Sequence, residues 1–135
     1  MGRIVSGLAE IVVWSHDVDR SLAFYRDLLG FTVMEKRPEV KPTFLKVADG
    51  DGVPQMIVLV PHPDQGGSFP TDKPLRTLHH MAFAVDAAEY EDLEASCRQA
   101  GLDVRGGIHP VLQGVRTFYI DDPDGNEVEI ISPSA

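Results

Sequence analysis

The sequence predicts an α+β fold of two tandem βαβββ modules, residues 7–61 and 77–132, joined by a loop over 61–76 in a single domain spanning 1–135. Three observations carry this expectation. The order strand, helix, three strands can be read twice along the chain. Laying FYRDLLGF over EASCRQAGL at an offset of 71 residues places Gly30 on Gly101 and Phe31 on Leu102, the signature of an internal duplication. Each half alone offers too small a core to stand by itself, so the two belong to one domain.

The elements follow in order. LAEIVVW, Leu8 to Trp14, is β-rich, and the polar SHDVD after it supplies a helix start with Asp17 or Asp19 as N-cap. The helix is predicted to run to Leu29, with Val18, Leu22, Tyr25, Leu28 and Leu29 as its inner stripe and Gly30 as a left-handed cap. Strands are predicted over Phe31–Lys36, Thr43–Ala48 and Gln55–Val60, punctuated by Pro38, Pro42 and the DGDG turn at 49–52. After the loop rich in Pro, Gly and Asp, a strand Leu78–Val85 leads to a helix Ala88–Ala100 with Tyr90, Leu93 and Cys97 inside, ended by Gly101. Strands Leu102–Arg105, Gly114–Ile120 and Glu127–Ile131 complete the second module, the last two joined by the turn DDPDGN.

Composition bounds the function. Twenty-one acidic residues against twelve basic ones, spread along the chain, argue against a nucleic-acid surface that tracks phosphates. No run of about 18 apolar residues is present, and MGRIVSGLAE lacks the apolar core of a signal peptide, so no membrane partner is expected. The single cysteine, Cys97, has no internal partner and sits at an apolar helical position, which fits a reduced, cytoplasmic setting.

Alternation along strands sorts the chemistry-bearing residues. Ile11 and Val13 suit the helix side of the first strand, leaving Glu10, Val12 and Trp14 on the other face. In TLHHMAFAV, His79, Met81, Phe83 and Val85 share the helix side, whereas His80, Ala82 and Ala84 share Glu10's kind of face. In NEVEII, Val128 and Ile130 point to the helix while Glu127 and Glu129 face away, Glu127 solvated beside the turn and Glu129 deeper. A buried carboxylate needs a cation or strong donors. Glu10, His80 and Glu129 thereby form a candidate site for a divalent first-row metal, with open positions left for substrate. By the same alternation His79 is read as a satisfied interior or edge histidine, and His16 and His62 as loop residues with no special role.

The double βαβββ plan, DVDRSLAFYRDLLGF, LHHMAFAVD and TFYIDDPDGNEVEII together resemble the vicinal oxygen chelate superfamily of glyoxalases, extradiol dioxygenases and fosfomycin or bleomycin resistance proteins, over residues 7–132. The resemblance implies modules curled into a partial barrel, often across a homodimer, and a small-molecule substrate. It places the metal ligands on Glu10, His80 and Glu129, Glu10 standing where His or Gln is usual. The fourth glyoxalase-type position falls on Val58, which can neither coordinate nor take a proton, so glyoxalase chemistry is disfavoured. Extradiol-type chemistry needs three ligands, and Tyr119 and His109 fall where such enzymes place acid/base residues. That reading leads. A metal-dependent lyase, isomerase or transferase stands close behind, and a non-catalytic drug-binding protein is the alternative of another class. The implied ion is Fe, Mn, Zn or Ni, with the second carboxylate favouring harder ions such as Mn, Mg or Zn. Val12, Trp14, Phe44, Val58 and Ala82 are expected to line an apolar cavity, and Arg116 or Arg37 to hold an anionic group.

Overall fold

The computed structural model describes residues 2, 4–50 and 52–134. The chain divides into two compact units, Met1–Gly67 and Ser68–Ala135, with the boundary inside the loop that joins the modules. Each unit has one mixed four-stranded sheet, in the order β1-β4-β3-β2 in the first and β5-β8-β7-β6 in the second. In each, the outer pair β1/β4 or β5/β8 is parallel and the other pairs are antiparallel. The expected duplicated βαβββ plan is therefore present.

In the first unit, β1 is Glu10–Ser15, β2 Thr32–Val33, β3 Thr43–Ala48 and β4 Gln55–Pro61. The helix starts as its composition dictates: the Asp17 side chain accepts from the Arg20 N–H at 3.1 Å, satisfying one of the first-turn donors. It does not continue as an α-helix to Leu29. α1 covers Val18–Leu22, and Ala23–Leu28 is π-helical, closed by Leu29 N–H to Phe24 O at 3.0 Å. The wider turn changes which side chains face inward. Phe24 and Tyr25 are buried side by side with edge-on rings 4.8 Å apart, whereas Leu28 and Leu29 are only half-buried. The inner stripe predicted from a uniform 3.6-residue period is corrected accordingly.

The second unit holds β5 Met81–Ala84, α2 Tyr90–Gln99, β6 Arg105–Gly107, β7 Val115–Asp121 and β8 Glu127–Pro133. α2 ends in a Schellman arrangement, with Leu102 N–H to Cys97 O at 3.1 Å and Gly101 N–H to Arg98 O at 3.0 Å. Gly101 has φ +82° and Gly30 φ +81°, so both duplicated glycines take the left-handed conformation that an L side chain resists. Phe118, Ile120, Val128 and Ile130 are fully or almost fully buried beneath Tyr90 and Cys97, giving this unit its own core. Strand β5 is shorter than the sequence suggested, so His79 and His80 precede it in irregular backbone. Among the described residues no helix is long and apolar enough to cross a membrane.

The turn before β8 sets the start of that strand. Asp122 is buried, and its carboxylate accepts from the backbone N–H of Asp124 at 2.9 Å, the backbone N–H of Asn126 at 2.8 Å and the Asn126 side-chain amide at 2.9 Å. Replacing Asp122 by Ala strands these buried donors, and urea unfolding of Asp122→Ala is expected to show a loss of about 2–3 kcal/mol. Burial also pushes the Cys97 thiol up to about 11, and the side chain has no exposure. Native protein at pH 8 is therefore expected to leave an aromatic disulfide reagent unreacted, with one thiol titrating once guanidinium unfolds the chain.

Candidate metal centre

Parallel pairing in β5/β8 puts Ala82 beside Glu129, and antiparallel pairing in β7/β8 puts Tyr119 on its other side. Paired residues share a face. The face opposite the core of the second unit therefore carries Ala82, Glu129 and Tyr119, and His80 lies two residues before Ala82. His80 Nε2 is 3.2 Å from Glu129 Oε1. The Glu129 side chain is 4% exposed, and its Oε2 is buried without a hydrogen-bond partner.

A divalent first-row ion bonds nitrogen and oxygen at about 2.0–2.2 Å. Two cis ligands at that range are themselves about 3 Å apart, so the observed 3.2 Å separation suits coordination of one ion by both. The orphaned Oε2 supplies the independent sign, because a buried carboxylate oxygen without a donor is costly unless a cation meets it. This donor set fits a metal.

Tyr119 flanks the pair, its ring centroid 5.9 Å from that of His80. Burial and the facing Glu129 carboxylate push its phenol above the ordinary value, so it keeps its proton at neutral pH. The ring has room because residue 107 is glycine: a Cβ there would meet Tyr119 Cε2 at 2.5 Å and Thr117 Oγ1 at 2.9 Å.

Glu127 is not the solvated carboxylate that its place beside the turn suggested. Its side chain is 22% exposed, Oε1 is held by Lys73, and Oε2 is held by Arg105 at 3.0 Å. Burial alone would raise its carboxyl, but the two cations outweigh it and the group titrates below the usual glutamate range. Arg105 also binds Asp121 at 3.0 Å. These groups, with Arg76 and His79, line a polar cleft of about 380 Å³.

His79 also departs from expectation. Off the strand, its ring is released from strict alternation and turns to His80, with the two Nδ1 atoms 2.8 Å apart. His79, His80 and Glu127 thus form a second possible cluster of donor atoms, all within 4.8 Å of one another. Both oxygens of Glu127 are already held by cations, whereas Glu129 has one buried oxygen with no donor.

Arg116 lies elsewhere. Its register partner is Ser132, which puts it on the helix face with Phe118 and Ile120. The guanidinium sits 4.3 Å over the Tyr90 ring and bonds Glu91 and the Ala87 carbonyl, each at 3.3 Å. Strand parity therefore corrects the expectation that it holds a substrate anion. Arg37 is a surface residue paired with Glu39 at 3.2 Å. His109 is committed to its own loop: its Nδ1 accepts from Val111 N–H at 3.2 Å and Leu112 N–H at 2.9 Å.

In the first unit, Glu10 pairs with Met56, Val12 with Val58 and Phe44 with Val58. Glu10, Val12, Trp14, Phe44 and Val58 consequently share the face away from Ile11 and Ile57. Val12 and Trp14 are half-exposed and Val58 is buried. At the end of the same parallel pair, His16 is buried and its ring lies tilted at 34° against that of His62 with centroids 4.3 Å apart, and His62 meets Trp14 edge-on at 5.3 Å. The signal was available in the sequence, since each histidine directly follows one of the two strand ends that the register pairs, Ser15 with Pro61.

The comparisons with known proteins converge on one superfamily. The sequence profile of the Glyoxalase/Bleomycin resistance protein/Dioxygenase superfamily matches residues 7–130. The lactoylglutathione lyase of Haemophilus influenzae is 30% identical over 123 residues, covering 85% of this chain and 84% of that protein. The catechol-2,3-dioxygenase of Bacillus subtilis is 26% identical over 125 residues, covering 92% of this chain but 40% of the longer relative. The crystal structure of a glyoxalase/dioxygenase from Nostoc punctiforme has a TM-score of 0.76 at 20% identity, covering 100% of this chain and 99% of that one. With the duplicated fold, the chain belongs to the Glyoxalase/Bleomycin resistance protein/Dioxygenase superfamily.

Proposed function

We propose that this chain is a metal-dependent enzyme acting on a small oxygenated organic molecule, closer to extradiol-dioxygenase chemistry than to glyoxalase isomerisation. The observation that carries this reading is the buried Glu129 carboxylate, with one oxygen 3.2 Å from His80 Nε2 and the other without a partner. His80 and Glu129 would hold the ion. Glu10, the third ligand the sequence suggests, holds in the first unit the position His80 holds in the second, two residues before the paired Val12/Val58 and Ala82/Glu129. A bound divalent ion would supply Lewis-acid polarisation of neighbouring oxygens on the ligand.

The chain's own residues supply the rest. Tyr119, the register partner of Glu129, would donate its phenolic proton to a ligand oxygen beside it. Val58, buried at the first-unit position equivalent to Glu129, provides no carboxylate base, which disfavours the isomerase reading. A divalent ion, a small-molecule ligand and a homodimeric assembly are the companions this reading expects. Ring cleavage remains distinct from the lyase activity named for the Haemophilus relative, and assay of both substrate classes separates them.

Tag-free protein is expected to retain close to one equivalent of Mn, Zn, Fe or Ni by elemental analysis, with His80→Ala and Glu129→Gln falling to background while far-UV circular dichroism stays unchanged. Equal, trace metal in all three would overturn the reading. Ligand quenching of Trp14 in metal-free protein as strong as in loaded protein would instead favour a binding protein without catalysis.

A further inference from the structure

We propose that His79 is a positioning residue for the metal centre: its Nδ1 accepts the Nδ1 proton of His80 and holds the His80 ring in the tautomer whose Nε2 is free to coordinate. The inference rests on the reading of His80 and Glu129 as ligands and adds a residue that this reading does not need.

Neighbouring residues of a strand point to opposite faces, yet the His79 and His80 rings meet edge-on, with centroids 5.0 Å apart and planes at 67°. This is possible because both residues precede β5 at Met81. The Nδ1 atoms are 2.8 Å apart, a full hydrogen bond that has room for one proton. A neutral imidazole has one donor and one acceptor nitrogen. Once His80 Nε2 is given to a cation beside Glu129 Oε1, the remaining proton of His80 must sit on Nδ1. The acceptor it meets is His79 Nδ1, so His79 carries its own proton on Nε2.

Direct ligation by His79 is the competing use of this geometry, and it would need Glu127 as a partner. Glu127 has Lys73 on Oε1 and Arg105 on Oε2. A dication placed there would face two fixed positive charges and displace two ion pairs. His79 is exposed and carries no core packing, so its substitution is expected to leave the fold intact.

The test compares wild type with His79→Leu, which cannot accept a hydrogen bond, and His79→Asn, whose Oδ1 can. Zinc affinity by competition with a chromophoric chelator should fall about 10- to 100-fold in His79→Leu and return to within a few-fold of wild type in His79→Asn. Thermal unfolding of the metal-free proteins should be the same for all three. Long-range ¹⁵N–¹H correlation spectra of the zinc-loaded wild type should show His80 protonated on Nδ1 and His79 protonated on Nε2. Equal zinc affinity in His79→Leu and wild type would overturn the inference while leaving the metal reading standing. Loss in both variants would overturn it in favour of direct ligation by His79. Failure of wild type to bind zinc, manganese or nickel would remove the metal reading and this inference together.

Discussion

Burial of one carboxylate is the constraint around which the second unit is arranged. Glu129 is 3% exposed on a central strand, with an apolar neighbour on each side in sequence, Val128 and Ile130. An ionised group there costs several kcal/mol unless its charge is answered. The surroundings show how the position is held open. Its register partner Ala82 is too small to cover it, and Gly107 leaves the space that the Tyr119 ring occupies. The Asp122 turn fixes where β8 begins, and a slip of one residue would send Glu129 into the apolar core and Val128 out of it.

The two units differ position by position on this face. The registers align Val12 with Ala82, Val58 with Glu129 and Phe44 with Tyr119. At these aligned positions the first sheet presents valine and phenylalanine where the second presents carboxylate and phenol, and two residues before Val12 and Ala82 the first has Glu10 where the second has His80. The duplicated scaffold thus repeats a place for a ligand-bearing side chain and changes what surrounds it.

Much of this was legible in the sequence because it depends on parity. Strand alternation separates Glu129 from Val128 and Ile130 and Glu10 from Ile11, as the registers do, and the glycines at 30 and 101 marked both helix ends. What was not legible depends on where regular backbone stops. The π turn after Leu22 alters the inner stripe of the first helix, because its wider turn breaks the 3.6-residue period on which the sequence pattern is read. The late start of β5 freed His79 from the face that alternation assigned to it. The helix-side place of Arg116 follows from parity alone, since it lies three residues before Tyr119 on the same strand and so on the opposite face. The Lys73–Glu127–Arg105 cluster joins a loop, β8 and β6, a combination fixed by the fold rather than by local pattern.

That cluster bears on selectivity. Strand parity puts Glu127 and Glu129 on one face of β8, two residues apart, so two carboxylates compete for any cation that arrives there. Lys73 and Arg105 settle the competition by occupying both oxygens of Glu127 and holding its carboxyl ionised and neutralised. Glu129 keeps a buried oxygen without a partner and a histidine nitrogen at 3.2 Å. The two fixed positive charges on Glu127 oppose a second ion between His79 and Glu127. One carboxylate is thus assigned to structure by its cations, and the other is left available for a metal.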